Sequence, residues 1–557
     1  DNTLSGQITL AAHSAIYSYS GTLTLDVSSS SSITASDKNI TFGGVGNITV
    51  ADPIAIGSGA LDKGGSVTLT LSAANTYTGA TTIHQGVLIA TNATSLGTTD
   101  GATTITDGAV LQISGGINIG EAITASGSGE SSNGAIRSTS GNNTLSGLIT
   151  LAAHTYIQSD DDTLTLDVST GSAITGSYNF YSEGAGNITV SDPIAIGSGN
   201  IFKNDAGTLT LTGTNTFTGF TVVNGGILSI NQDRALGAVP GSTDADNIIL
   251  NGSTLKTTAS FTINTKRGIE LRANSFINVD SSTTLTYAGI IKRQNSENNG
   301  YTKSGTGTLA LSGDSTYTGT TIISAGVITI AHAGSLGSTS GATSITSGAA
   351  LSISGGITVA EPITVNGTGV SSGGAIVFTG GNNTYSGAIT VGSSSTIISS
   401  SGAQTISATV DGGQALTITA NGNLIISGAV GGGTDLSSYA VTTTNSSSQT
   451  FSANVETTGN QTYTAAGGIV TSGAITFDSS GGTVNFASAL SGNNNVTVTG
   501  NADIDGAITD IAVLSISGTS NIGADITTSG TQTYTGAVTL SADVTLTSSN
   551  SVITFSS

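Results

Sequence analysis

Apolar and polar residues alternate along this chain with a period of two. Thr68-Leu69-Thr70-Leu71, Thr208-Leu209-Thr210-Leu211 and Leu416-Thr417-Ile418-Thr419 each place their apolar side chains on one face. The apolar positions are nearly all Val, Ile, Leu or Ala, Thr dominates the other face, and Gly or Asn intervenes every few residues. Val, Ile and Thr favour strands, and the interruptions read as turns. No segment keeps a 3.6-residue apolar period over three turns, so the pattern predicts short strands, tight turns and no helical domain. No apolar run reaches 18 residues, so no transmembrane helix is expected.

Strands of about 4 to 6 residues cannot bury a face alone, which makes internal repetition the decisive signal. Residues 63–150 align without a gap to 303–390, so that Gly101-Ala102-Thr103 returns as Gly341-Ala342-Thr343 and Gly141-Asn142-Asn143-Thr144 as Gly381-Asn382-Asn383-Thr384. A second relation runs at an offset of 141 slipping to 140: Asp52-Pro53-Ile54-Ala55-Ile56-Gly57 returns as Asp192-Pro193-Ile194-Ala195-Ile196-Gly197. One element occurs three times, near 63–97, 203–237 and 303–337. Each copy opens on a lysine (Lys63, Lys203, Lys303) and contains Asn75-Thr76-Tyr77-Thr78-Gly79, Asn215-Thr216-Phe217-Thr218-Gly219 or Ser315-Thr316-Tyr317-Thr318-Gly319. It closes on Leu96-Gly97, Leu236-Gly237 or Leu336-Gly337. Short strands stacked coil upon coil bury a continuous apolar column, and the expected fold is an all-β, right-handed parallel β-helix, a β-solenoid with a few irregular loops. At 20 to 25 residues per coil the chain makes on the order of 25 coils, roughly 120 Å of rod at about 4.8 Å per strand. Leu, Ile, Val and the repeated aromatic (Tyr77, Phe217, Tyr317) should point inward, with Thr and Ser ladders outside.

The stretch Gly207 to Gly219 with Gly226-Ile227-Leu228 resembles the autotransporter passenger-associated strand repeat of large secreted bacterial β-helical proteins. The resemblance covers residues 1–390 and implies a passenger-type solenoid. From 391 to 557 the solenoid pattern continues in more degenerate form, and Gln461-Thr462-Tyr463-Thr464 and Gln532-Thr533-Tyr534-Thr535-Gly536 resemble filamentous-haemagglutinin-like adhesins more weakly.

Composition sharpens this picture. Gly numbers 79 of 557 residues, charged residues are 8%, and Cys, Met and Trp are absent. Without Cys there is no disulfide framework, thiolate metal site or thiol nucleophile. A net charge of -21 disfavours a nucleic-acid binder, which needs a basic surface, and disfavours acidic membranes. The chain begins on Asp1, contains no Met and stops at Phe555-Ser556-Ser557 within a strand-like pattern, as expected of a piece of a longer protein.

Candidate chemistry is sparse. His13 and His154 occupy the same repeat position some six coils apart, and His84 and His332 lack partners in sequence, so all four are expected to face solvent. Gly369-Val370-Ser371-Ser372-Gly373 satisfies a G-x-S-x-G pattern, but no helix follows, and the counterpart Gly129-Glu130-Ser131-Ser132-Asn133 breaks it. Asn501-Ala502-Asp503-Ile504-Asp505-Gly506 is similar to half an EF-hand loop; its twelfth position is Ala512, and strand, turn, strand is the better reading. Asp160-Asp161-Asp162 reads as a solvated cluster. Seven of the twelve basic residues (Lys256, Lys266, Arg267, Arg272, Lys292, Arg293, Lys303) lie between 256 and 303, and none follows. The polar stretch 292–300 is expected to be a solvated loop, with a contact surface for an acidic partner as the rival reading.

The expected function is an extracellular structural and adhesive rod of a large bacterial surface protein, mediating attachment or forming a stalk. The alternative is a self-assembling subunit of an extracellular fibre or sheath. A β-helical polysaccharide-cleaving enzyme would need paired acids and aromatic platforms, and ice binding would need a short constant period; neither suits this sequence. No catalytic, cofactor-binding or metal-ligating residue is assigned, and no cofactor. Host, sister cell, glycan and abiotic surface remain open as partners, together with end-to-end or lateral self-association. Nucleic acid and direct membrane insertion are not expected.

Overall fold

The computed structural model describes residues 1–28 and 30–556. The chain divides into two units, Asp1–Phe276 and Ile277–Ser557, and each is a parallel β-solenoid. Among the described residues there is no α-helix; three 3₁₀ turns occur, at Glu130–Ser132, Asp233–Leu236 and Val370–Ser372. Among the described residues no helix is long and apolar enough to cross a membrane.

In the first unit, in-register parallel pairing carries one apolar column through Ile48, Leu69, Leu88, Leu111, Ile136 and Ile157. A second column runs Leu145, Leu166, Val190, Leu211 and Ile230. All of these side chains are buried. In the second unit the corresponding stack runs Leu285, Leu309, Ile328, Leu351, Ile376, Ile397, Ile418 and Val441. It then turns aromatic at Tyr463 and Phe486, which pack with Phe451 and Phe477 at ring separations of 5.1–5.9 Å. Alternation therefore translates into a core because period two keeps every second residue inward at each coil.

The thrice-repeated element works as a coil-to-coil clip. The buried Asn75 amide accepts from the Ile54 N–H at 2.8 Å and donates to the Ser95 carbonyl at 2.5 Å. Asn215 makes the same bridge between Ile194 and Ala235. In the third copy the shorter Ser315 hydroxyl accepts from Ile291. The aromatic after the clip (Tyr77, Phe217, Tyr317) is fully buried. Gly79 is required by close approach, since a Cβ there would lie 2.3 Å from the Gly59 carbonyl oxygen of the preceding coil. Gly97 closes the element at φ 102, a conformation that side chains with a Cβ rarely adopt.

The expectation that Thr would cover the outside holds in part. Thr9 and Thr34 pair their hydroxyls at 3.3 Å, as do Thr150 and Thr175 at 3.4 Å. Thr81, Thr103, Thr321 and Thr343, however, are buried. They stand in columns otherwise filled by Leu61 and Ile123 or by Tyr301 and Ile363. The Thr81 hydroxyl is admitted because it meets the Tyr77 hydroxyl at 2.7 Å and donates to the Leu96 carbonyl at 3.0 Å.

Candidate functional site

The residues flagged by sequence are mostly occupied by the fold. His13 and His154 are exposed, and each ring Nδ1 accepts a backbone N–H one coil on, from Asn39 at 2.9 Å and Asn179 at 3.1 Å. His84 lies 3.3 Å from Asp62, and His332 Nδ1 accepts from Gly334. Among the described residues no three His, Cys, Asp or Glu side chains are grouped to hold a metal. Ser371 sits in a 3₁₀ turn at φ 49 rather than at a strand-to-helix elbow. Asp160 is bound by Arg137 through Nε at 2.8 Å and Nη2 at 2.7 Å, and Asp162 accepts the Gly141 N–H.

The Asn501–Gly506 segment lies on the strand Val496–Ile504 and the turn after it. Asp503 accepts from Asn485 at 2.8 Å and Asn521 at 2.9 Å, forming an amide–carboxylate ladder. With Thr483, Asn501, Thr519 and Thr539 this ladder lines a polar groove of about 380 Å³. The basic cluster is not one surface. Arg267 and Lys303 are fully buried, Arg272 is paired with Glu270 at 2.8 Å, and Arg293 donates to the Thr318 hydroxyl. Stretch 292–300 begins on the strand Ile291–Arg293, and Asn295 to Asn298 form an exposed loop.

Three features escaped the sequence reading. The first is an aromatic strip on the outside of the first unit. Tyr156 stacks on Tyr181 at 4.1 Å and 3°, Tyr181 on Phe202 at 4.6 Å and 6°, and Phe220 meets Phe202 edge-on at 6.0 Å. His154 and Tyr178 make a further edge contact at 5.8 Å beside it. The register Tyr156–Tyr181–Phe202 places the three rings on successive coils.

The second is the set of buried lysines. Lys63 Nζ donates to the carbonyls of Gly64 at 3.1 Å, Gly65 at 2.9 Å and Gln85 at 2.6 Å. Lys303 does the same to Ser304, Gly305 and Ala325, and Lys203 binds Asn204 and Asp205. Burial pulls all three down to about 8, while the three carbonyl acceptors around each of Lys63 and Lys303 require the three donors of the ammonium form. Lys63→Met should therefore destabilise the first unit by about 2 kcal/mol, the cost of stranding buried acceptors, as read by urea unfolding. An unchanged midpoint would show that the carbonyls find water instead.

The third is a pair of buried acids at the same place in the two superrepeats. Glu121 and Glu361 are each 3% exposed, and none of their four carboxylate oxygens has a hydrogen-bond partner. Burial pushes both up to about 8. The Thr103 hydroxyl approaches Glu121 and offsets this slightly without reaching hydrogen-bond geometry.

Comparison with known proteins agrees with this architecture. The Passenger-associated-transport-repeat family matches residues 61–90, 201–230, 302–330 and 371–393. The first three are the copies read from sequence. The fourth carries the clip again as Asn383-Thr384-Tyr385-Ser386-Gly387, with Asn383 accepting from the Gly356 and Ile357 N–H groups and Tyr385 buried. The chain is 39% identical over 144 residues to the adhesin BmaC autotransporter of Brucella suis biovar 1 (strain 1330). That stretch is 26% of this chain and 4% of the relative, so the chain spans a small part of that protein's length. No solved structure matches. The chain carries the repeats of autotransporter passengers and is a protein of the cell exterior or cell surface.

Proposed function

We propose that this chain is a non-enzymatic adhesive segment of a longer surface protein, whose solenoid units carry attachment surfaces away from the cell. The coil-to-coil clip supports this reading most directly. Asn75 and Asn215 each tie their own coil to the coils on either side, and with stability accumulating through such nearest-neighbour interfaces the outer faces are free to vary. The likeness to an autotransporter adhesin supports the attachment role.

Beads coated with the chain should attach to host-cell monolayers, bacterial cells or glass more than beads coated with an unrelated acidic protein. Attachment to none of these would overturn the adhesive reading. Concentration-dependent filaments in sedimentation, with no attachment, would establish the fibre subunit in its place.

A further inference from the structure

The superrepeats provide an internal control on what the fold itself needs. The buried aromatic recurs in every copy as Tyr77, Phe217 and Tyr317. The outer strip does not. At the equivalent positions of the earlier copy, Tyr156, Tyr181, Phe202 and Phe220 are replaced by Ala15, Thr41, Asp62 and Ala80. In the later copy Phe202 and Phe220 become Thr302 and Thr320. The coil closes equally well without these rings, so their role is not to close it.

Beside the strip, two residues further along the same strands, runs a polar row: Gln158, Glu183 and Asn204, continued by Asn224. Two residues of strand separate the rows by roughly 7 Å, about the reach of a lysine or arginine stem. Glu183 accepts from Asn204 at 2.9 Å, and Asp205 accepts the Gly184 N–H at 2.9 Å. Burial and the nearby Asp205 charge push Glu183 up, so a further cation would be favourable there. The local cations are already engaged, Lys203 on backbone carbonyls and Arg137 on Asp160.

We propose that the strip Tyr156–Tyr181–Phe202–Phe220, with Glu183 and Asp205, is a docking site for a basic polypeptide. Its lysine and arginine stems lie along the ring edges while their charged ends meet the carboxylates. A sugar ring stacks on an aromatic face, and here both faces of Tyr181 are covered by its neighbours. A second copy of the chain would bring Glu183 and Asp205 against acids of the same sign, at a net charge of -21 per chain. This assignment deepens the adhesive reading and rests on it for its biological meaning, but its test is made in solution without any attachment assay.

Decalysine binding to the whole chain should be measured at 0.15 M salt, with decaglutamate and a neutral glucose hexasaccharide as comparisons. Decalysine should bind and the other two should not. The variant Tyr181→Thr/Phe202→Thr uses residues found at these places in the other copies and leaves net charge unchanged; it should weaken binding at least tenfold. Glu183→Gln/Asp205→Asn should weaken binding by a similar factor while the near-ultraviolet circular dichroism of the ring stack persists. This second variant decides the matter if the first misfolds. Binding undiminished in either folded variant would reduce the interaction to general charge attraction and overturn the site. Hexasaccharide binding, or self-association, that is lost in the ring variant would overturn it in favour of a glycan or a second copy.

Discussion

Arg267→Met should destabilise the first unit by about 3–5 kcal/mol, the loss typical of breaking a buried ion pair from one side. Arg267 has no solvent exposure, and its guanidinium is satisfied by named acceptors on two segments, the Asp233–Leu236 turn with Gly237 after it and the strand Asp244–Leu250. Nε donates to Asp233 at 3.0 Å, Nη1 to the Leu236 carbonyl and the Asn247 side chain at 2.9 Å each, and Nη2 to the Gly237 carbonyl at 2.6 Å. Asp233 in turn accepts the Asn264 N–H at 2.9 Å. Removal of the fork leaves a largely buried carboxylate and two turn carbonyls at the Asp233–Leu236 turn without their donor. Arg267→Lys should recover little, because a point charge cannot satisfy a planar fork of acceptors. Arg137→Met is the control: it binds Asp160 at 2.7–2.8 Å, but Arg137 is 28% and Asp160 26% exposed, so water can replace the lost partner and the loss should stay under about 1 kcal/mol. Denaturant unfolding reads the difference, and hydrogen exchange over residues 233–250 locates it. Equal losses for the two arginines would remove Arg267 from its place as the organiser of this turn.

The same residue marks the boundary of what the sequence made legible. Strands, coil stacking, the repeated clip and the inward aromatics followed from alternation and repetition, because period two fixes which residues share a face. The buried charges were legible by the same rule and were not read. Lys63 is two residues from Leu61, Lys203 from Ile201, Lys303 from Tyr301, Glu121 from Ile123 and Glu361 from Ile363, all buried. A charge in phase with apolar neighbours on both superrepeats is an inward charge. The outer aromatic strip is different in kind. Tyr156, Tyr181 and Phe202 stand on separate coils whose lengths vary, from Tyr156–Tyr181 to the shorter Tyr181–Phe202 step. Their stacking depends on register that turns and loops decide, and no local pattern encodes it. The seven cations clustered in sequence are scattered in the fold for the converse reason: strand parity sends Arg267 and Lys303 inward.

Strand parity also leads to the strongest expected pH effect. Both units should lose stability as pH rises from about 5 to 8, and Glu121→Gln and Glu361→Gln should flatten that loss in their own units. In the unfolded chain each glutamate titrates near its ordinary 4.5, whereas in the fold burial holds each at about 8. Between these values the folded state keeps a proton that the unfolded state has released, so unfolding is favoured by each increment of pH. Each group's stabilisation is full below the ordinary value, falls by about 1.4 kcal/mol per pH unit between the two values and is spent above about 8. The groups facing them add no compensating positive charge. Tyr77 faces Glu121, and Tyr317 and Tyr385 face Glu361, the Tyr385 hydroxyl bonding the Glu361 backbone carbonyl at 2.8 Å rather than its carboxylate. The decisive quantity is the difference between each variant and the parent across the pH series. A neutral amide removes the proton linkage at nearly the same volume, and the variants should gain on the parent progressively toward pH 8. A constant difference from pH 5 to 8 would mean that the carboxylates are ionised within the fold and paired with a cation or water. The neutral buried acid would then be the wrong description of both superrepeats.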